Sequence, residues 1–183
     1  YMDAKLLEDY ERLQREADAG PIDLQKDHLY APAAHYLYAR SFFSDLPREV
    51  AAEEAYQYYL GQAARYWLDR PLYQQGLIAV ALHRAGQEAE AARLVRSLRE
   101  RAVHSEELGM FWNYKRGWFW HQLPIETHVQ LIEVFDEVAA DPDAVDELRI
   151  WLLKNKQTTH WKTTKPTAAA VYALLSQGEV AGG

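Results

Sequence analysis

Pro71-Leu72-Tyr73-Gln74-Gln75-Gly76-Leu77-Ile78-Ala79-Val80-Ala81-Leu82-His83-Arg84-Ala85-Gly86 is the stretch on which the fold turns. A proline suits the first turn of a helix, and a glycine ends one because it accepts a left-handed conformation at no steric cost. Between them, from Leu72 to Leu82, no residue is charged. A helix that is apolar or small around its circumference belongs inside a protein. Similar stretches recur at Ala33-Ala34-His35-Tyr36-Leu37, Thr127-His128-Val129-Gln130-Leu131 and Thr167-Ala168-Ala169-Ala170-Val171. Their starts, with Gly76 as the second, lie 43, 51 and 40 residues apart. A repeat of about 40–50 residues built from helix pairs predicts stacked helical hairpins. The spacing is too irregular for tetratricopeptide repeats, which keep about 34 residues. Ala85-Gly86-Gln87-Glu88-Ala89 nevertheless resembles their turn.

Working outward, the sequence predicts eight helical segments. The first covers 3–18 and stops at Gly20-Pro21. The second covers 31–43, with Pro32 in its first turn. Ser44-Asp45-Leu46-Pro47 opens the third, 48–68, whose Ala52, Tyr56, Tyr59, Ala63 and Tyr66 keep a 3.6-residue period. The fourth is 71–86. The fifth, 87–103, carries Ala91, Leu94, Leu98 and Ala102 on one face and charges on the other, so it is half solvated. The sixth runs from Pro124 to Ala139. Asp141-Pro142 starts the seventh, to Lys154, with Asp as cap and Pro at the first helical position. The eighth starts after Thr164 and ends near Gly178. Residues 1–178 are expected to form one domain of about four hairpins, and 179–183 a frayed tail. The even segments are small and aliphatic and the odd ones longer and more charged, so the even set is expected to be the more buried.

Residues 104–123 break the helical pattern. They hold Gly109 and Gly117 with Phe111, Trp112, Tyr114, Trp118, Phe119 and Trp120, beside Lys115 and Arg116. A connection this long is unusual in a compact domain and often functional. Met110 to Trp120 alone alternates enough for a short hairpin around Arg116-Gly117. Two uses compete for the rings. They plug the gap between the fifth and sixth helices, or Phe111, Trp112, Tyr114, Trp118 and Trp120 form an interaction surface. Burying one such ring is worth about 1.5–3 kcal/mol, which favours the plug. Trp161 occupies the equivalent turn one repeat later.

The net charge of −7 makes nucleic acid and anionic membrane surfaces poor partners. No apolar run is long enough for membrane insertion. Tyr1-Met2-Asp3-Ala4-Lys5 leads straight into a charged helix with no signal pattern, and the expectation is a piece of a longer chain. The 183 residues are 49% apolar, enough for one sizeable core, and include six Trp and twelve Tyr. There is no cysteine, which removes thiolate ligands and thiol nucleophiles together.

Chemistry-bearing patterns are sparse. His121 and His128 lie two helical turns apart, with His160 one repeat on, but no Glu-x-x-His or His-x-x-x-His anchors a metal. Neither a metal nor a cofactor is expected. Glu106, Glu107 and Glu126 are the acids nearest the aromatic loop. Two carboxylates across an aromatic cleft would suit a glycosidase. Loop solvation for Glu106 and Glu107, and a favourable first-turn position for Glu126, explain them without catalysis. Gly-x-Ser-x-Gly, Ser-x-x-Lys and phosphate-loop motifs are absent. Lys154, Lys156, Lys162 and Lys165 flank Trp161 and read as favourable charges at a helix C-terminus.

The C-terminal third carries a family likeness. Ile125-Glu126-Thr127 opens a helix, and Asp136-Glu137 and Asp141-Pro142 follow. Then Ile150-Trp151-Leu152-Leu153-Lys154-Asn155-Lys156-Gln157 leads through Trp161-Lys162-Thr163-Thr164 to Thr167-Ala168-Ala169-Ala170-Val171-Tyr172-Ala173-Leu174-Leu175. This resembles the end of the thioester domain of α2-macroglobulins and complement proteins. Tyr58-Tyr59-Leu60-Gly61-Gln62-Ala63, Tyr66-Trp67-Leu68 and Glu106-Glu107-Leu108-Gly109-Met110-Phe111-Trp112 look like the large bacterial members. The resemblance implies an all-α fold, part of an α/α toroid of six hairpins. It also implies a non-catalytic role in protease trapping or cell-envelope defence, in the periplasm or on the outer surface. The implied partners are other domains of the same larger chain and proteases. The family's Cys-x-Glu-Gln thioester motif does not occur here, and the repeats are closest to bacterial members that lack it. The assisting histidine of complement-type domains is left open among His104, His121 and His128. Two rivals remain: an α/α-toroid carbohydrate-active enzyme and a generic helical-repeat scaffold.

Overall fold

The computed structural model describes residues 1–114 and 123–158. Seven helices and one strand pair are found among them: α1 (Met2–Ala19), α2 (Ala31–Ser41), α3 (Val50–Tyr66), α4 (Leu72–Arg84), α5 (Glu88–Arg101), β1 (Val103–Ser105), β2 (Gly109–Phe111), α6 (Leu123–Glu133) and α7 (Pro142–Thr158). The all-α class is thus observed, with one two-stranded addition. The chain divides into two compact units, Tyr1–Ala91 and Ala92–Gly183. The eighth segment, its aromatic turn at Trp161 and the tail lie outside the described residues.

In the first unit, successive helices alternate between two layers: α2 packs most extensively on α4, and α1 on α3. Their sequences explain the sorting. Every residue of α4 from Gln75 to Leu82 is buried, as are Ala33, Ala34, Tyr36, Leu37 and Arg40 of α2. By contrast, α1 buries only Leu6 and Asp9. Each fully buried Leu, Ile or Val stabilises by about 1.5–3 kcal/mol, so α4 is the apolar centre of this unit. The 20–30 connection is laid on α3 by side chains. Gln62 donates from Nε2 to the Leu24 and Lys26 carbonyls (3.3 and 3.0 Å) and accepts the His28 backbone N–H at Oε1 (2.7 Å). A buried amide that satisfies three backbone groups replaces the ladder this loop lacks.

In the second unit, the aromatic segment begins earlier than its alternation predicts. The pair is Val103↔Phe111, His104↔Met110 and Ser105↔Gly109, antiparallel. Met110 and Phe111 therefore form the second strand of this pair, and the turn expected around Arg116-Gly117 lies outside the described residues. The fifth helix ends at Arg101, and Val103 is already extended. Gly109 makes the turn possible, with φ 72°, and it also lets β2 approach α7. A Cβ there would lie 2.1 Å from the Glu147 carbonyl oxygen.

α6 does not end as a simple helix. It widens into a π-helical turn over Val134–Val138 and closes on Ala140, which has a left-handed φ of 48°. Asp141 then caps α7, accepting the Ala144 N–H at 3.1 Å, with Pro142 at the first helical position as its sequence predicts. Among the described helices the burial order follows the even and odd pattern. Ile125, Thr127, His128, Gln130, Leu131 and Ile132 of α6 are buried, whereas α5 buries a stripe of Ala91, Leu94, Val95 and Leu98. No described helix is long and apolar enough to cross a membrane.

Candidate functional site

The loop rings within the described residues gather around one histidine. His128 sits on α6 with its side chain fully buried. Its Nε2 lies 2.7 Å from the Leu148 carbonyl oxygen, which can only accept, so Nε2 carries the proton. Nδ1 is then an acceptor and takes the Tyr114 hydroxyl at 2.7 Å. The imidazole lies 4.2 Å from the Trp151 ring, tilted by 31°, and 6.4 Å from Trp112 edge-on. Trp112 is 2% exposed and donates Nε1–H to the Leu98 carbonyl at 2.9 Å. Phe111 stacks on Trp151 at 6.5 Å, and Trp112 contacts Phe135 at 5.9 Å.

Electrostatics follow from the burial. Among the described residues His128 has no carboxylate partner, and loss of hydration penalises its cation. The bond to the Leu148 carbonyl offsets only part of this, and the pKa falls to about 4. Burial likewise pushes the Tyr114 phenol well above its ordinary value. Both groups are neutral near pH 7. A neutral, doubly hydrogen-bonded imidazole between rings fixes the distance between α6 and α7.

Of the proposed interaction surface, Trp112 is buried, and Phe111 and Tyr114 are half-buried. Trp118 and Trp120, with Phe119, Lys115 and Arg116, lie outside the described residues. His121, His160, Lys162 and Lys165 lie there too. Glu106 and Glu107 are exposed on the turn between β1 and β2, and Glu126 occupies the first turn of α6. His104 is exposed and its Nδ1 lies 3.0 Å from Glu147. Among the described residues, no group of three His, Asp or Glu side chains is placed to hold a metal ion.

Sequence spacing missed a second feature. In the first unit, α1, α2 and α4 border a groove of about 540 Å³, within the usual range for ligand sites. Tyr30, Tyr36, Tyr38 and Tyr73 line it, with Leu6 and Leu77. The rings come from Tyr30 just before α2, Tyr36 and Tyr38 on α2 and Tyr73 on α4, so no single local period brings them together. Asp9 is the one carboxylate lining it. Burial raises its pKa, but the Tyr30 hydroxyl, Lys5 and Arg12 outweigh that and hold it below the ordinary value. An aspartate so engaged is ill-suited to proton transfer at neutral pH.

The class defined is therefore an all-α protein with packed polar and aromatic contacts. No known family profile, curated protein or solved structure matches the chain.

Proposed function

We propose that the chain is a non-catalytic module of a bacterial α2-macroglobulin-like protein. In this reading it is part of an α/α toroid without a thioester, and it serves protease capture or cell-envelope defence. Its partners are other domains of the same chain and the proteases the whole protein engages, in the periplasm or on the outer surface. The observation that carries the reading is the alternation of helices: among the described ones, the small, aliphatic even set buries a larger share of its residues than the longer, more charged odd set. The motif resemblance along Ile125–Gln157 adds to it. The glycosidase rival requires two free acids among rings, and the tyrosine groove holds a single tied one.

The test is an entrapment assay on the full-length chain that carries these residues. Endopeptidases are incubated with it, and cleavage of a large protein is compared with cleavage of a small peptide. The reading expects the large substrate to be protected while the peptide is still cut. Equal cleavage of both with every protease, or release of sugars from a polysaccharide panel, defeats it.

A further inference from the structure

A second cavity of the first unit is polar where the groove is apolar. It measures about 180 Å³, in a setting where a single water needs about 10–15 Å³, so it admits a group of several heavy atoms. It lies among the C-terminal turns of α2 and α4, the 44–48 connection and the middle of α3. Its charged lining residues are three arginines, Arg40, Arg48 and Arg84, and no carboxylate borders it. The chain as a whole has a net charge of −7, so three clustered guanidinium groups run against its composition.

The bland explanation is that the arginines serve the helix ends. It accounts for Arg40, whose Nε meets Asp3 at 3.1 Å, whose Nη1 donates to the Phe43 carbonyl, and whose Nη2 donates to the Leu46 carbonyl at 2.6 Å. It does not account for Arg48. Five carbonyls in the last turns of the two helices already have backbone donors. Ala39 and Arg40 accept Phe42 and Phe43, and Ala81, Leu82 and His83 accept Ala85, Gln87 and Gly86. Arg48 lies with its guanidinium 3.8 Å over the Tyr56 ring and donates Nε–H to Glu53 at 2.6 Å. Its two terminal amino groups remain for the pocket. Glu53 sits on the Nε side, so it holds the guanidinium in place without closing the cavity. Gln87 also lines the wall, while Ser41 is tied to the Tyr38 carbonyl and Arg84, and Gln57 donates to Glu53.

We propose that this pocket binds an oxyanion, the phosphate or carboxylate group of a small ligand. The guanidinium fork matches the spacing of two such oxygens, and the partly buried setting strengthens each charge-assisted bond. Tyr56 and Leu60 are the large apolar side chains of the lining, so the cavity is mainly polar around the guanidinium groups.

The full 183-residue chain is melted in sodium phosphate, sodium acetate and sodium chloride at equal ionic strength. A saturable rise in Tm with phosphate or acetate but not chloride is expected, and the more effective of the two names the oxyanion. Arg48→Gln removes the rise. Ser44→Asp, which puts a carboxylate at an exposed lining position, removes it as well and serves if Arg48→Gln does not fold. Arg96→Gln takes the same charge from an exposed site on α5 and leaves the rise intact. Equal melting in all three salts overturns the proposal, as does an undiminished response in Ser44→Asp or in folded Arg48→Gln.

Discussion

The two units place a titratable side chain in their interiors by opposite means. In the first, Asp9 stays ionised because Tyr30, Lys5 and Arg12 surround it with donors and positive charge. In the second, His128 stays neutral because burial penalises its cation more than the bond to the Leu148 carbonyl supports it. The difference shows what each interior tolerates. α1 is a polar helix at the margin of its unit, so water and long basic side chains reach Asp9. His128 lies between α6, α7 and a wall of rings, where an unpaired charge would cost several kcal/mol.

The largest break in the comparison comes from the ring wall. Trp112→Ala is expected to cost about 3–5 kcal/mol in urea denaturation, the range for a buried Trp, and leaves the Leu98 carbonyl without its donor. A cost below 1 kcal/mol would mean that the cage around His128 is not structural.

Acid separates the two units next. Above pH 6.5 His128 is neutral whether folded or unfolded, and it adds no pH dependence. Below 6.5 the unfolded chain takes up a proton that the folded one refuses until about pH 4. Stability therefore falls across that window by about 3 kcal/mol, at about 1.36 kcal/mol for each pH unit between the two values. Asp9 has the opposite ionisation and a lower window. Its contribution is present above the unfolded carboxyl pKa near 3.8 and is lost only as pH falls through the lower folded value. Urea midpoints from pH 7 to pH 3 should drop first in the His128 window, and replacing His128 by Phe should flatten that limb. An unchanged limb in the variant would assign it elsewhere.

Pairing around Asp9 is the next smaller effect. Tyr30→Phe removes one hydrogen bond to a carboxylate and keeps the ring against Tyr59, 5.8 Å away. A loss of about 1.5–3 kcal/mol is expected by the same denaturation. No loss would mean that Lys5 and Arg12 suffice.

The helical layers were legible because each fills one repeat of chemistry. Gln75 to Leu82 announces burial by lacking charge, and Asp141-Pro142 announces a cap. The strand pair was not, because three residues per strand give no alternation to read, and its register rests on Gly109 fitting against α7. Nor was the role of His128. Its partners Leu148 and Trp151 lie about one helix further along, so no local spacing reveals them. The arginine pocket likewise joins three separate segments. The π turn after α6 was hidden for another reason, since it depends on Ala140 accepting a conformation that a sequence reader expects of glycine.

That last point gives the smallest effect. Ala140→Gly relieves the left-handed strain at φ 48° and should raise stability by about 0.5–1 kcal/mol. A loss would show that the Ala methyl packs more strongly than its backbone is strained.

The central claim about the second unit is that His128 is a neutral, Nε2-protonated strut between α6 and α7. Nitrogen-15 NMR of the histidine rings through a pH titration measures this directly. The account predicts a protonated Nε2 and an acceptor Nδ1 for His128 at pH 7, with a midpoint near pH 4. A midpoint at or above 6.5, or the opposite tautomer, would contradict it.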